Sequence, residues 1–360
     1  MTRDKILVVG GYGQVGRYVT LELMVSFPKK IIIAGRSLEK ASSFAKEYNN
    51  SFETIKLDIY NIEEISIATK DVKVAVMCLS PKTNDFVSYC AKNGIHYIDI
   101  SPSYDVAKNI ERFREEAEAK QSTCILGVGL APGLSNLLVK ELNKKVGILQ
   151  KVSIHLLLGL GESHGKDGVN WLLENIQYDF IANGKKVSPF VNGKKAIFID
   201  PLGKRKVYHF NLADQFIIPK TLHIGNVSSY FCYDSRIITF YVSILKRIGI
   251  FSLLKYTIPF AIISAVFNTT LRIIHKLKLF TDIYSIKIDA IGIKDDKEYL
   301  LHAGIKGNDN SLLTGKITAF VAEQLYTKNI PFGVFYLEEL FSLADLNSHG
   351  ILPKTEINIE

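Results

Sequence analysis

The sequence predicts an α/β fold in which a doubly wound parallel sheet is followed by a second α+β domain, and three observations predict it. A β-branched run, Ile6 to Val9, leads directly into Gly10-Gly11-Tyr12-Gly13-Gln14-Val15-Gly16. Short apolar runs then alternate with helical patterns over the first third of the chain, as βα repetition requires. Beyond that point several strand-like runs follow one another without intervening helices. The chain has 360 residues, and domains run ~100 to 200, so two lobes are expected. With 47% hydrophobic and 22% charged residues, wholesale disorder and collagen-like architectures are excluded.

Taken in order, Ile6 to Val9 suits a strand buried on both faces. Gly11, Gly13 and Gly16 spell GxGxxG, and Arg17 to Val25 has helical character. The first glycine permits a tight turn, the second lets backbone approach a pyrophosphate, and the third lets the helix pack on the strand. Phosphate then sits at the helix N-terminus, where free N–H groups favour an anion. This is a Rossmann-type dinucleotide site, with Gly11, Tyr12, Gly13, Gln14, Val15 and Gly16 as cofactor-binding residues.

A second strand, Lys30 to Ala34, closes in Gly35-Arg36-Ser37, with no acidic residue at its end. A carboxylate there would bind the ribose 2′-hydroxyl of NAD and repel a 2′-phosphate. Arg36 and Ser37 offer a planar cation and a hydroxyl instead, so NADP is the expected cofactor. If Arg36 only stacks on adenine, both dinucleotides fit. Ser37 is expected to cap a helix through about Tyr48. A third strand near Thr54 to Leu57 ends at Asp58, placed to meet the adenine edge. A fourth, Val74 to Leu79, ends in Ser80-Pro81, so Leu79 and Ser80 are expected near the ribose or nicotinamide. A fifth, Tyr97 to Ile100, follows an Asp85 to Asn93 helix, and Thr123 to Leu126 is the sixth.

Ligands of such sheets bind at the carboxyl ends of the strands. His96-Tyr97-Ile98-Asp99 ends the fifth strand and Gly127 to Asn136 (GVGLAPGLSN) follows the sixth. Asp99 reads either as a strand-end carboxylate binding loop amides or as a general base, and His96 reads as a packed histidine. Pro132-Gly133 forms a turn, and Ser135 and Asn136 open a helix, where capping is the plain role and binding a substrate anion the functional one. Tyr104 and Lys108 have the spacing of the short-chain dehydrogenase tyrosine and lysine, but Ser101 lies too near Tyr104 to reach around a substrate.

GGYGQVG, AGRS, HYIDIS and GLAPGLSN, in that order, resemble the landmarks of the saccharopine dehydrogenase family, whose members interconvert imines and secondary amines of amino acids. APGLSN is also similar to a segment of lysine 6-dehydrogenases, which carry an acidic residue where Arg36 stands. Gly161-Glu162-Ser163-His164-Gly165, Trp171-Leu172-Leu173 and Pro331 to Leu340 look like a bacterial branch of the family. For such an amine substrate, Asp99 or His164, with Tyr97, is expected to handle the proton as the catalytic set. Pro132, Gly133, Ser135 and Asn136 are expected to contact the substrate, with Arg236 of the basic second lobe as partner of its carboxylate. No metal is expected; a small amino-acid-derived substrate and a homodimer are.

In the second half, Val152 to Leu158 reads as a strand. Asp167 is expected to cap a helix with apolar positions Val169, Leu172, Leu173, Ile176 and Phe180. Strand-like runs follow at 186–190, 195–199, 206–212 and 227–233; 286–291 and 299–305 form a hairpin, and Thr314 begins a helix. The expected domains are an NADP-binding domain at 1–130, an α+β substrate and dimerisation domain at 131–312, and C-terminal helices at 313–360 packing back on the first. Residues 181–280 hold fifteen Lys/Arg against three Asp, +12 of the chain's net +8, so the remainder sums to −4. Such a basic region suits an anionic substrate or membrane surface; nucleic acid is not expected, because no binding module or aromatic platform is present.

Residues 241–280 are apolar with basic flanks. Their longest charge-free run, Tyr256 to Leu271, has sixteen residues, short of the ~20 a span needs. A buried helix pair or subunit interface is the first reading and a peripheral membrane contact the second. Four scattered cysteines and the lack of a signal-peptide pattern point to a reducing, cytoplasmic setting. The functional expectation is an NADP-dependent oxidoreductase acting on CH–NH or CH–NH2 groups. The competing class is a catalytically silent NADP-binding or membrane-peripheral protein.

Overall fold

The computed structural model describes residues 3–161, 166–251, 269, 281–353 and 355–359. The chain divides into two units: Met1–Gly133 with Ser311–Phe341 and Ser348–Ile351, and Leu134–Asn310 with Ser342–Asn347 and Leu352–Glu360.

The first unit is built on a seven-stranded parallel sheet. Six strands come from the N-terminal part: β1 (Lys5–Val9), β2 (Ile31–Gly35), β3 (Glu53–Lys56), β4 (Val72–Met77), β5 (His96–Asp99) and β6 (Thr123–Leu126). Helices α1 (Gln14–Ser26), α2 (Leu38–Glu47), α3 (Ile62–Ala68), α4 (Asp85–Lys92), α5 (Tyr104–Ile110) and α6 (Arg114–Ala119) connect them. The strand order β6-β5-β4-β1-β2-β3 reverses direction at β1, which makes the carboxyl ends of β1 and β4 the crevice where ligands of such sheets bind. Burial on both faces explains the unbroken apolar runs: Ile6, Leu7, Val8 and Val9 are all fully buried, each contributing roughly 1.5–3 kcal/mol.

A seventh strand, Gly333–Tyr336 (β15), pairs with β6 in register Gly333↔Thr123 through Tyr336↔Leu126. The helix before it, α11 (Asn310–Thr327), is buried on nearly every side, and Gly315 lies so close to Tyr18 that a Cβ would meet it. Tyr326 fixes its end: the ring stands 4.6 Å from Phe27, and its hydroxyl accepts from Lys30 (2.7 Å) and donates to the Asp4 carbonyl (3.0 Å).

The second unit holds another seven-stranded sheet, in which α7 (Ser135–Val146) packs on β7 (Ile148–Leu158) and its neighbours. The order is β10 (Gly193–Phe198), β11 (Gly203–His209), β12 (Val227–Tyr233), β7, β13 (Ile283–Lys294), β14 (Lys297–Asn308) and β16 (Thr355–Ile359). Only β12 and β7 pair in parallel. The expected hairpin is present, turning on Asp295 and Asp296 at φ 50° and 58°, the left-handed pair that matches strand twist in a two-residue turn.

Several expected boundaries move. Helix α8 runs Lys166–Gln177, so Asp167 lies inside it and Phe180 lies beyond it. Phe180 instead opens β8 (Phe180–Ala182), which turns through Asn183-Gly184, both at positive φ, into β9 (Lys185–Val187). The run expected to reach Phe190 stops at Val187, because Phe190 sits at φ 60°. Its fully buried ring stacks on Tyr208 at 5.4 Å. The sequence reading also missed two helices, α9 (Asp214–Thr221) and α10 (Arg236–Arg247).

Candidate functional site

The glycine loop takes its shape from three close approaches. The positive φ falls on Gly10 (78°), one residue before the motif's first glycine. Gly11 then has no room for a side chain, since a Cβ would stand 2.8 Å from Ile33 and 3.0 Å from the Val8 carbonyl oxygen. At Gly16 a Cβ would collide with the Gly10 carbonyl, so α1 starts directly against the end of β1. Gly13 is its N-cap, and neither a capping side chain nor an acidic residue occupies the first turn. The leading N–H groups of α1, from Gln14, Val15 and Gly16, are left for an anion.

Neighbouring strand ends are stitched to this loop. Gly10 donates to the Ala34 carbonyl (2.7 Å) and Cys78 to that of Val9 (3.0 Å). Leu79 packs over Gly10, whose added Cβ would lie 2.9 Å from its Cδ2. Ser80 beside it is exposed. Tyr12 lies against Gly35, which has no room for a Cβ, and its hydroxyl accepts from the Ser37 N–H at 3.2 Å. The motif's variable residue thus fixes where β2 ends.

That end presents Arg36 and Ser37. Arg36 is exposed, and its guanidinium forms no ion pair among the described residues. Ser37 caps α2 by accepting from the Lys40 N–H at 3.3 Å, and a hydroxyl that accepts can still donate its own hydrogen. Asp58, at the end of β3, accepts from Tyr60 N–H at 3.1 Å, and its own N–H donates to Glu64 at 2.7 Å.

The end of β5 is organised differently. Tyr97 and Asp99 share one strand face; Tyr97 is fully buried, and its hydroxyl donates to Asp99 Oδ2 at 2.7 Å. Asp99 Oδ1 accepts from Ser101 N–H at 2.7 Å. Burial raises the Asp99 carboxyl to about 6, against the lowering effect of both hydrogen bonds, and lifts the Tyr97 phenol well above its ordinary range. The geometry is that of a strand-end carboxylate binding a loop amide. His96 accepts from Thr123 N–H at 3.0 Å, and burial, with Lys73 nearby, lowers it to about 4, so it is neutral at physiological pH. Tyr104 is the first residue of α5 and Lys108 lies in its last turn.

The loop after β6 follows β5 closely, with Val128 N–H donating to the Asp99 carbonyl at 3.1 Å. Pro132 follows a cis peptide bond, and Gly133 sits at φ 126° with no space for a Cβ beneath the Gly127 carbonyl. Ser135 and Asn136 begin α7 but do not cap it: Leu134 is the N-cap. Ser135 instead donates to Asp214 Oδ1 on α9. Both residues are fully buried, and burial raises Asp214 to about 6 while the serine bond opposes the rise. Asp214 Oδ2 has no hydrogen-bond partner among the described residues. Arg236 is exposed and donates to the Lys204 carbonyl at 3.3 Å. His164 lies outside the described residues, as does most of the 241–280 segment. No group of three His, Cys, Asp or Glu that could hold a metal occurs among the described residues.

A parallel sheet with this strand order, a glycine loop and an uncapped helix start defines a dinucleotide-binding domain. Residues 6–125 match the family model described as the saccharopine dehydrogenase NADP binding domain. The whole chain is similar in fold to an apo, histidine-tagged saccharopine dehydrogenase (L-Glu forming) from Saccharomyces cerevisiae. The identity is 14%, the TM-score 0.67, and the match covers 99% of this chain and 100% of that one. It aligns more distantly with the C. glutamicum DAP dehydrogenase in complex with DAP, at 12% identity, TM-score 0.47, and 97% and 99% of the two chains. An engineered D-amino acid dehydrogenase bound to NADP+ aligns at 12% identity, TM-score 0.44, and 96% and 99%. No curated protein matches.

Proposed function

We propose that the protein is an NADP-dependent oxidoreductase of the saccharopine dehydrogenase type, moving hydride between nicotinamide and the carbon–nitrogen centre of an amino-acid-derived substrate. The observation that carries the reading is the end of β2, where Arg36 is exposed without an ion pair among the described residues and no carboxylate stands. Arg36 and Ser37 would hold the 2′-phosphate, with the α1 N–H groups and Gly11, Gly13 and Gly16 around the pyrophosphate. Asp58 would meet the adenine, and Leu79 and Ser80 the ribose or nicotinamide. Bound NADP supplies the hydride chemistry, and the chain supplies position and electrostatics.

Pro132, Gly133, Ser135 and Asn136 are the proposed substrate contacts from the loop after β6, and Arg236 is the proposed partner of a substrate carboxylate. Proton transfer at the nitrogen is assigned to Asp99, held by Tyr97, or to His164. The fold likeness to the saccharopine dehydrogenase, which covers 99% of this chain, supports the two-unit architecture behind this reading. A second reading, NADP binding without turnover, is favoured by one observation: both oxygens of Asp99 already carry hydrogen bonds. NADPH oxidation measured against mixed pairs of oxo acids and amino acids separates the two. Turnover with at least one pair is expected, and tight NADPH binding without turnover on any pair selects the second reading.

A further inference from the structure

Helix α10 is turned inside out. In an ordinary surface helix the apolar stripe faces the core. Here Thr239, Ser243 and Lys246 are the buried residues, while Ile237, Phe240, Tyr241 and Ile248 are 67%, 54%, 57% and 64% exposed. The exposed set recurs at helical spacing, so it forms one continuous stripe. Hydrogen bonds hold the polar face inward. Thr239 donates to the Ser235 carbonyl at 2.9 Å and accepts from Tyr233 N–H at 3.0 Å, and Lys246 donates to the Gln177 carbonyl at 2.9 Å.

A basic sheet face adjoins this stripe. Lys195 opposes Lys206 and Ile197 opposes Lys204 on β10 and β11, so the four share one face, and all are exposed. Arg236, the first residue of α10, reaches the Lys204 carbonyl and joins the two surfaces. At the far end of α10, Arg247 is exposed beside Ile248. Residues 181–250 carry eleven Lys/Arg against three Asp, 11 − 3 = +8, and one of those acids, Asp214, is buried.

We propose that α10, with the adjoining β10–β11 face, is a docking surface for an anionic lipid bilayer. An apolar stripe carrying exposed aromatic residues and edged by lysines and arginines is the composition that inserts at a charged headgroup layer. A symmetric contact between two copies would place like surfaces together and set this positive field against itself. Anionic headgroups neutralise it. The proposed contact is peripheral, made by the surface of α10; among the described residues no helix is long and apolar enough to cross a membrane.

Flotation of the full-length protein with phosphatidylcholine vesicles, and with vesicles that also contain phosphatidylglycerol, tests the proposal. Binding to the anionic vesicles is expected, at least about tenfold tighter than to the neutral ones and weakened by salt. Two double variants, Ile237→Ser/Phe240→Ser and Lys195→Glu/Lys206→Glu, are each expected to lower binding about tenfold. Circular dichroism and NADPH titration confirm that each variant is folded. Equal binding to both vesicle types, no binding to either, or anionic binding that survives both variants overturns the proposal. So does a concentration-dependent dimer, seen by light scattering, that Ile237→Ser/Phe240→Ser dissociates while vesicles are not bound.

Discussion

Two strand ends on one sheet edge carry charged residues that read alike in sequence and behave oppositely in the structure. At the end of β2, Arg36 is exposed and uncommitted to any carboxylate among the described residues. At the end of β5, Asp99 is 2% exposed, with Tyr97 and Ser101 occupying its two oxygens. Lying at a carboxyl edge is therefore insufficient to mark a group that binds the cofactor. What separates the two is whether the fold already satisfies the side chain.

The sharpest break of this contrast is charge reversal at β2. Arg36→Asp replaces an attraction for the 2′-phosphate by a repulsion, and hydrogen bonds to charged groups contribute ~1.5–3 kcal/mol. NADPH affinity is expected to fall about 100-fold or more by fluorescence titration, with NADH affinity unchanged or improved. Asp99→Asn should leave NADPH affinity within a factor of about two, lower turnover if Asp99 rather than His164 moves the proton, and change stability as well. A carboxyl raised to about 6 when folded contributes stability that is complete below its unfolded value near 4 and lost as pH rises through 6.

Asp214 has the same sign over the same window. His96, lowered to about 4, and His155, lowered to about 3 because it is buried, have the reverse: their stability is present above the unfolded value near 6.5 and lost as pH falls. In denaturant titrations between pH 4 and 7, Asp99→Asn is expected to remove on the order of 2 kcal/mol of the falling component, leaving stability to rise more steeply with pH than in the wild type. An unchanged profile would show that the carboxyl is not desolvated.

Ser135→Ala removes the donor to Asp214 and is expected to cost about 1–2 kcal/mol, read as a melting temperature lower by a few degrees. The smallest effect is expected for Tyr104→Phe. Turnover and NADPH binding should both persist, and lost turnover with intact binding would revive the short-chain dehydrogenase mechanism.

The first unit was legible because its signals are local. Strands buried on both faces are unbroken apolar runs, Gly16 admits no Cβ beside Gly10, and Ser37 caps α2 from one residue away. Strand β15 was hidden, since its four residues join a partner strand from more than two hundred positions away. Helix α9 was hidden by Pro219 inside it. Asp214 shows no local spacing with Ser135, and only the fold brings them together. At α10 the helical period was present, but its direction was not, because an apolar stripe is ordinarily assigned to the core.

The wild-type preference between the two dinucleotides tests the central claim most directly. Titrated side by side at fixed ionic strength, NADPH should bind at least about tenfold more tightly than NADH, with a preference that shrinks as salt screens the 2′-phosphate. Equal affinities, or tighter binding of NADH, would contradict the assignment of Arg36 and Ser37 to that phosphate.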